Sequence, residues 1–159
     1  MSVEITKHII FDCDGTLIDT SQFNYRLYPG IKELLLSLRL ESKLYVWTAR
    51  DRISTIKILQ SQGVYQLFEN LCTLDDALPK PHMSGLVELV GNSDKSHICM
   101  IGDTIHDILG AKNFGIKSIG AIWNKNANAS VMKESGATFI ATSPEQCLSW
   151  IRENIISPC

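Results

Sequence analysis

Four acids, one small hydroxyl and one lysine stand out in this sequence for their types and spacing. Asp12 and Asp14 lie one residue apart in Asp12-Cys13-Asp14-Gly15-Thr16, Thr48 opens Thr48-Ala49-Arg50, Lys80 precedes Pro81, and Gly102-Asp103 is followed by Asp107. Two carboxylates as close as Asp12 and Asp14 repel each other unless a cation lies between them or one keeps its proton. Asp103 and Asp107, four apart, carry a similar like-charge cost on a helix, partly offset at a helix N-terminus. An oxygen-only cluster with no His/Cys ligand set suits Mg²⁺, which takes one or two carboxylates and keeps waters for substrate oxygens. Lys80 adds a point positive charge and Thr48 a hydroxyl donor. A dication, a lysine and a hydroxyl facing a carboxylate nucleophile are the parts that phosphoryl transfer needs, because that chemistry is mostly positioning and charge neutralisation.

For these residues to meet, the chain must bring distant segments to one edge. Short β-branched runs alternate with helical patterns. Ile9-Ile10-Phe11, Leu44–Trp47, Ile98–Ile101 and Ile116–Trp123 read as buried strands, with a weaker extended segment over Phe68–Leu74. Ile31, Leu34, Leu35 and Leu38 predict one helix face, and Ile53, Ile56 and Leu59 a second helix closed by Gly63. Asp75–Pro81 holds two prolines and reads as loop, followed by a modest helix over about 82–90. Asp103–Phe114 predicts a helix with Ile105, Ile108 and Leu109 inward, stopped by Gly115. Ser143-Pro144 reads as an N-cap with proline in the first turn of a last helix, whose stripe is Cys147, Leu148, Ile151 and Ile155. Such alternation implies βαβ units around a mostly parallel sheet, hence an α/β, Rossmann-like three-layer domain. Ligands of such sheets sit at the carboxyl ends of the strands, and each of the chemistry-bearing segments follows a strand or lies in a loop.

In that order and at those places, Asp12-x-Asp14-Gly15-Thr16, Thr48, Lys80-Pro81 and Gly102-Asp103-x-x-x-Asp107 closely resemble the four motifs of the haloacid dehalogenase-like superfamily, over residues 9 to about 123. The resemblance implies a phosphatase with Asp12 as the nucleophile that forms an aspartyl-phosphate and Asp14 as general acid and then base. It implies Mg²⁺ held by Asp12, the backbone carbonyl of Asp14 and Asp103, with Asp107 orienting a water of the metal. Thr48 and Lys80 would hold phosphoryl oxygens. The acid at position 14 also separates phosphatases from dehalogenases proper, which lack it. Arg50 stands two residues past Thr48, where it would either reach the substrate or form a surface ion pair. His82 and His106 flank the site in sequence without an assigned role, and Cys13 is expected to be a buried, inert thiol rather than a redox-sensitive one.

Length and composition bound the rest. The chain has 159 residues, 45% hydrophobic and 20% charged, with a formal net charge of −2. It reads as a single domain over 1–159, large enough to bury roughly 70% of its unfolded surface. That balance carries no nucleic-acid signal. Five cysteines without a C-x-x-C pair fit free thiols, and with no long apolar run the expected setting is cytoplasmic, away from membranes. Of the five, Cys159 lies outside the residues that the structure describes. Only a small flap (about 15–28) fits after the first motif, and one helix and one extended segment fill 48–80, so the chain resembles the minimal-cap members of the superfamily. An open site implies a phosphorylated substrate large enough to cover it, or a second subunit of a homo-oligomer doing so. The flap aromatics Phe23, Tyr25 and Tyr28 would grip substrate or pack the hairpin, packing being the leading expectation. Two alternatives compete: a phospho-accepting signalling module and a catalytically idle binding module. Receiver-type acceptors place the phosphorylated Asp between an acid pair and the Thr, whereas here the second acid cluster follows Lys80; and no catalytic position is degraded.

Overall fold

The computed structural model describes residues 4–157. Its centre is β1 (His8–Phe11), whose residues are all buried. β4 (Lys43–Trp47) pairs with one side of it and β6 (Ile98–Gly102) with the other, both in parallel. β5 (Phe68–Cys72) extends the sheet beyond β4, and β7 (Lys117–Ala121) and β8 (Phe139–Ala141) extend it beyond β6. The order is therefore β5-β4-β1-β6-β7-β8, every pair parallel. Such a sheet is buried on both faces, which is why its strands read as continuous apolar runs rather than alternations.

Alternation within each strand still sorts the side chains by face. Ile9, Phe11, Leu44, Val46 and Ile101 pack beneath α1 (Ile31–Arg39), α2 (Arg52–Ser61) and α6 (Pro144–Ile151). Ile10, Tyr45, Trp47 and Met100 pack on the other face against α3 (Ser84–Val90) and α4 (Ile105–Phe114). The α1 stripe falls where its periodicity puts it, with Ile31, Leu34, Leu35 and Leu38 all buried. Ser143 caps α6 by accepting from the Gln146 N–H, with Pro144 in the first turn.

Two helices differ from expectation in which side faces in. In α2 Ile53 is exposed, and Thr55 and Leu59 are the buried residues. The reason is the cap: Asp51 accepts from Ser54 N–H at 2.9 Å, fixing the entry of the chain so that the first turn projects over the rim. In α4 Ile105 and Leu109 are only partly buried, and Asp107, Ile108, Gly110 and Ala111 turn inward. The polar Asp107 takes an interior position because it has partners there, described below. A short helix, α5 (Ala129–Glu134), and the edge strand β8 were not foreseen at all.

Between Asp14 and α1 the chain makes only a hairpin of two-residue strands, β2 (Ile18–Asp19) and β3 (Arg26–Leu27). No large insertion interrupts the α/β unit there or between β4 and Lys80. Among the described residues no helix is long and apolar enough to cross a membrane, and Cys13, Cys72, Cys99 and Cys147 are buried free thiols.

Close packing of Trp47 sets an inverted expectation at Gly110. Alanine normally stabilises a helix interior by about 1 kcal/mol over glycine, but a Cβ at Gly110 would fall 2.5 Å from Cη2 of Trp47. Gly110→Ala should therefore lower the melting temperature, by an amount corresponding to about 1–3 kcal/mol of overpacking; thermal denaturation followed by circular dichroism checks the sign. A second expectation concerns pH. His8 is buried at the other end of β1 with its Nδ1 hydrogen-bonded to the Tyr45 hydroxyl at 2.9 Å. Burial, then the positive charges of Lys43 and His97, hold its pKa below the ordinary 6.5. The unfolded chain thus binds a proton that the folded one resists, so this contribution is complete above about pH 6.5 and lost as pH falls through the lowered value. His8→Gln should flatten the decline in melting temperature between about pH 6.5 and 5.

Candidate active site

Strand register assembles the site. Phe11 pairs with Val46 on one side and Ile101 on the other, so the chain leaves β1, β4 and β6 at one level. Asp12 N–H then donates to Ile101 O at 2.9 Å, and Thr48 N–H to Cys72 O at 2.9 Å, which carries the ladder one step past each strand. Asp12, Thr48 and Asp103 consequently emerge together, where the chain order reverses direction across the sheet, the place at which open α/β sheets bind ligands.

After Asp12 the side chain of Cys13 turns into the core, where burial pushes its thiol pKa up; it has none of the exposure or depressed pKa of a reactive cysteine. Gly15 adopts φ +83°, and its N–H donates to Ile18 O at 2.9 Å to close a tight turn. A Cβ at this glycine would collide with the carboxylate of Asp103 and the amide of Asn124. The turn therefore lies directly on Asp103, whose two oxygens are both engaged. Thr16 Oγ1 donates to Oδ1 at 3.1 Å, and Asn124 Nδ2 donates to Oδ2 at 2.8 Å. Trp123 pins the same turn, its indole N–H donating to Thr16 O at 2.8 Å.

Lys80 enters from the proline-flanked loop with its side chain 7% exposed, donating to Asp12 Oδ1 at 2.9 Å and Asp107 Oδ1 at 2.7 Å. The other oxygen of Asp107 accepts from the backbone N–H of Thr104 at 3.1 Å and from its hydroxyl at 3.0 Å, capping α4. One carboxylate thus ties a helix start to the site lysine. Burial alone would favour a neutral amine at Lys80, but Asp107 and Asp12 more than reverse this and hold it charged. Asp12 is raised well above the usual carboxylate range, first by burial and then by Asp107, with Lys80 opposing.

The carboxylates of Asp12, Asp103 and Asp107 are all buried and offer oxygens within 4.8 Å of one another. One ammonium meets three acids, and the other direct donors to Asp103, Thr16 and Asn124, are neutral. An all-oxygen cluster with that excess of negative charge fits a hard dication such as Mg²⁺. The carboxylate of Asp14 is not part of it. Arg50 Nε reaches both of its oxygens at 3.1 Å, and the guanidinium lies over the ring of Tyr25, 5.4 Å from the centroid. The hydroxyl of Thr48, buried at the mouth of β4, accepts from Arg50 N–H at 3.1 Å. A cavity of about 270 Å³ opens above, lined by Asp12, Asp14, Thr48, Lys80, Thr104 and His106.

All six of the acids, hydroxyl and lysine singled out in the sequence thus come together, with Arg50 beside Asp14. His106 is exposed at the rim of the cavity. His82 turns away, its Nδ1 accepting from Ser84 N–H at 3.1 Å at the start of α3. The flap departs from the packing expectation. Tyr28 packs on the core, but Phe23 is fully exposed and Tyr25 reaches Arg50 from a left-handed backbone conformation, φ +29°. Sequence reasoning gave no separate role to Thr16, Trp123 or Asn124. Only Thr16, inside the first motif, carried a local signal.

The chain is similar to known proteins in sequence and in fold. Residues 23–121 match the family described as haloacid dehalogenase-like hydrolase. The chain is 36% identical over 100 residues to a phosphoglycolate phosphatase of Agrobacterium fabrum, covering 60% of this chain and 42% of that protein. It is 33% identical over 95 residues to the pyrophosphatase PpaX of Halalkalibacterium halodurans, covering 57% and 44%. The chain therefore spans less than half the length of these curated relatives. Among solved structures it superposes on a haloacid dehalogenase-like hydrolase of Streptococcus pneumoniae with a TM-score of 0.79 at 18% identity, covering 92% of this chain and 98% of that one. A haloacid dehalogenase-like protein of unknown function from Agrobacterium tumefaciens gives 0.81 at 15% identity, covering 92% and 97%. At such identities the likeness shows the fold.

The grip of Asn124 on Asp103 leads to an expectation that needs no substrate. Partners of this kind, which orient a metal-binding carboxylate, commonly change metal affinity about 10–100-fold when removed. Asn124→Ala should weaken Mg²⁺ binding by about tenfold or more, measured by calorimetric titration of the folded protein. It should also lower the melting temperature without metal, because the buried carboxylate of Asp103 keeps only Thr16 as a direct donor.

Proposed function

The chain belongs to the haloacid dehalogenase-like hydrolase family, and we propose that it hydrolyses phosphomonoesters in a Mg²⁺-dependent reaction through an aspartyl-phosphate on Asp12. The observation that carries this reading is the buried cluster of Asp12, Asp103 and Asp107 served by a single lysine, with Asp14 beside it at the mouth of β1. Asp12 and Asp103, with the backbone carbonyl of Asp14, would hold the ion, and Asp107, whose oxygens are taken by Lys80 and Thr104, would orient a water on it. Bound there, a dication would neutralise charge on the phosphoryl oxygens and on Asp12.

Asp12 attacks phosphorus in line and the ester oxygen leaves. Asp14 gives that oxygen its proton, so the alcohol departs neutral and Asp14 is left as carboxylate. The same carboxylate then takes a proton from water as the water attacks the aspartyl-phosphate, releasing inorganic phosphate and returning Asp12. Thr48 and Lys80 hold phosphoryl oxygens through both steps; Lys80 is already fixed between two acids and needs little reorganisation. Arg50 is read as the residue that aims Asp14 at the leaving group, since its guanidinium is on that carboxylate.

The named relatives act on phosphoglycolate and pyrophosphate, but this chain spans under half of their length, and between Asp14 and α1 it makes only a hairpin of two-residue strands. A site this open suits a phosphate presented on a larger substrate, or one covered by a second subunit, better than a small substrate enclosed by a lid. Hydrolysis also tolerates access of water where transfer between substrates does not.

The test is direct. Purified protein should release phosphate from p-nitrophenyl phosphate with Mg²⁺, lose turnover with EDTA and regain it on adding Mg²⁺, and show none above background as Asp12→Asn. Turnover that survives EDTA or the Asp12→Asn change would overturn the mechanism.

A further inference from the structure

The ammonium of Lys80 rests on an aromatic face. Trp47, the last residue of β4, lies with its ring centroid 4.9 Å from Lys80 Nζ, and the ring is 2% exposed. Two glycines on two different helices make room for it. A Cβ on Gly85 of α3 would collide with the indole Nε1 and Cδ1, and a Cβ on Gly110 of α4 would fall 2.5 Å from Cη2. Strand and both helices thus close on the ring, which sits on the face opposite α1 and α6 and directly beneath the loop that delivers Lys80.

We infer that Trp47 is a positioning residue for the reaction, setting the place and direction of the Lys80 ammonium. The inference rests on the reading of Lys80 as a holder of phosphoryl oxygens. An ammonium has three N–H donors, and two of those on Lys80 are committed to Asp12 and Asp107. A flexible four-carbon stem would otherwise let the charge swing among the nearby acids or sink toward them. The indole face attracts the cation from below without accepting one of its strong hydrogen bonds, and it keeps water from that side. The charge is left facing the acids and the cavity. Trp47 also immediately precedes Thr48, so one strand end sets both groups proposed to hold the phosphoryl oxygens.

The experiment compares Trp47→Phe and Trp47→Leu with Lys80→Met, using Trp150→Phe as a control because Trp150 stacks on Phe139 in another part of the fold. Two measurements are made: ¹H–¹³C NMR of lysine ε-methylene groups, and KM, kcat and inhibition by inorganic phosphate with p-nitrophenyl phosphate. In the wild type one ε-methylene signal, absent from Lys80→Met, should be shifted upfield by the indole ring current; it should stay upfield in Trp47→Phe and return to the bulk lysine position in Trp47→Leu. KM and the phosphate inhibition constant should rise about tenfold in Trp47→Leu, with a smaller change in kcat, substantial rescue in Trp47→Phe and no change in Trp150→Phe. A folded Trp47→Leu with wild-type KM and phosphate inhibition overturns the inference, as does the absence of the upfield signal from the wild type. The latter also decides the matter should Trp47→Leu fail to fold. If Lys80→Met is unimpaired, the role of Lys80 fails and takes this inference with it. If Lys80→Met is impaired while Trp47→Leu is not, the role of Trp47 fails alone.

Discussion

Three buried carboxylates with one ammonium among them, bonded to two of the three, are the constraint around which this molecule is arranged. Charges so close, and so far out of water, are tolerable only when each has a partner, because an unpaired buried charge costs several kcal/mol. Lys80 answers two of the acids, and Thr16 and Asn124 supply neutral donors to the third. What remains is an excess of negative charge sized for a small dication. The glycine turn at Gly15, the helix start at Thr104 and the loop ending at Lys80 are all shaped to those partnerships. No buried side-chain polar atom is left without a hydrogen bond among the described residues.

Precision in such a site comes from the sheet. Parallel neighbours on both sides of β1 fix where the chain emerges, and the extra ladder bonds of Asp12 and Thr48 extend that rigidity one residue beyond the strands. The functional groups therefore sit on the ends of rigid elements. The exception is Lys80, which arrives on a loop and is located instead by what surrounds it.

How much of this was readable beforehand depended on how local each signal was. The acids, Thr48 and Lys80 could be picked out because each follows a strand or a proline-marked loop, and strand ends of α/β sheets converge. The α1 stripe was equally plain, since four apolar positions at helical spacing have one reading. Asn124 was not visible: an asparagine after a strand is ordinary, and its meaning is a contact 21 residues away in sequence. The contact between Thr16 and Asp103 spans 87 residues. Trp47 read as core, which it is, and nothing near it in sequence announces the two glycines on later helices. Ile53 was misjudged because apolar spacing cannot register that a cap has turned the first turn of α2 outward. Of the flap aromatics Tyr28 packs as expected, but Phe23 and Tyr25 were misjudged because a hairpin this short has no interior to hold them.

Asp107 makes two commitments at once, one oxygen to the first turn of α4 and the other to Lys80. The end of a helix is ordinarily the part that frays first, on timescales far shorter than unfolding of the whole. Here fraying would have a chemical consequence, because opening that turn would also loosen one of the two counter-charges of the lysine, leaving Asp12 as the other. The first turn of α4 and the placing of the lysine are therefore linked through one carboxylate, so that a change made to the helix start is also a change made to the site.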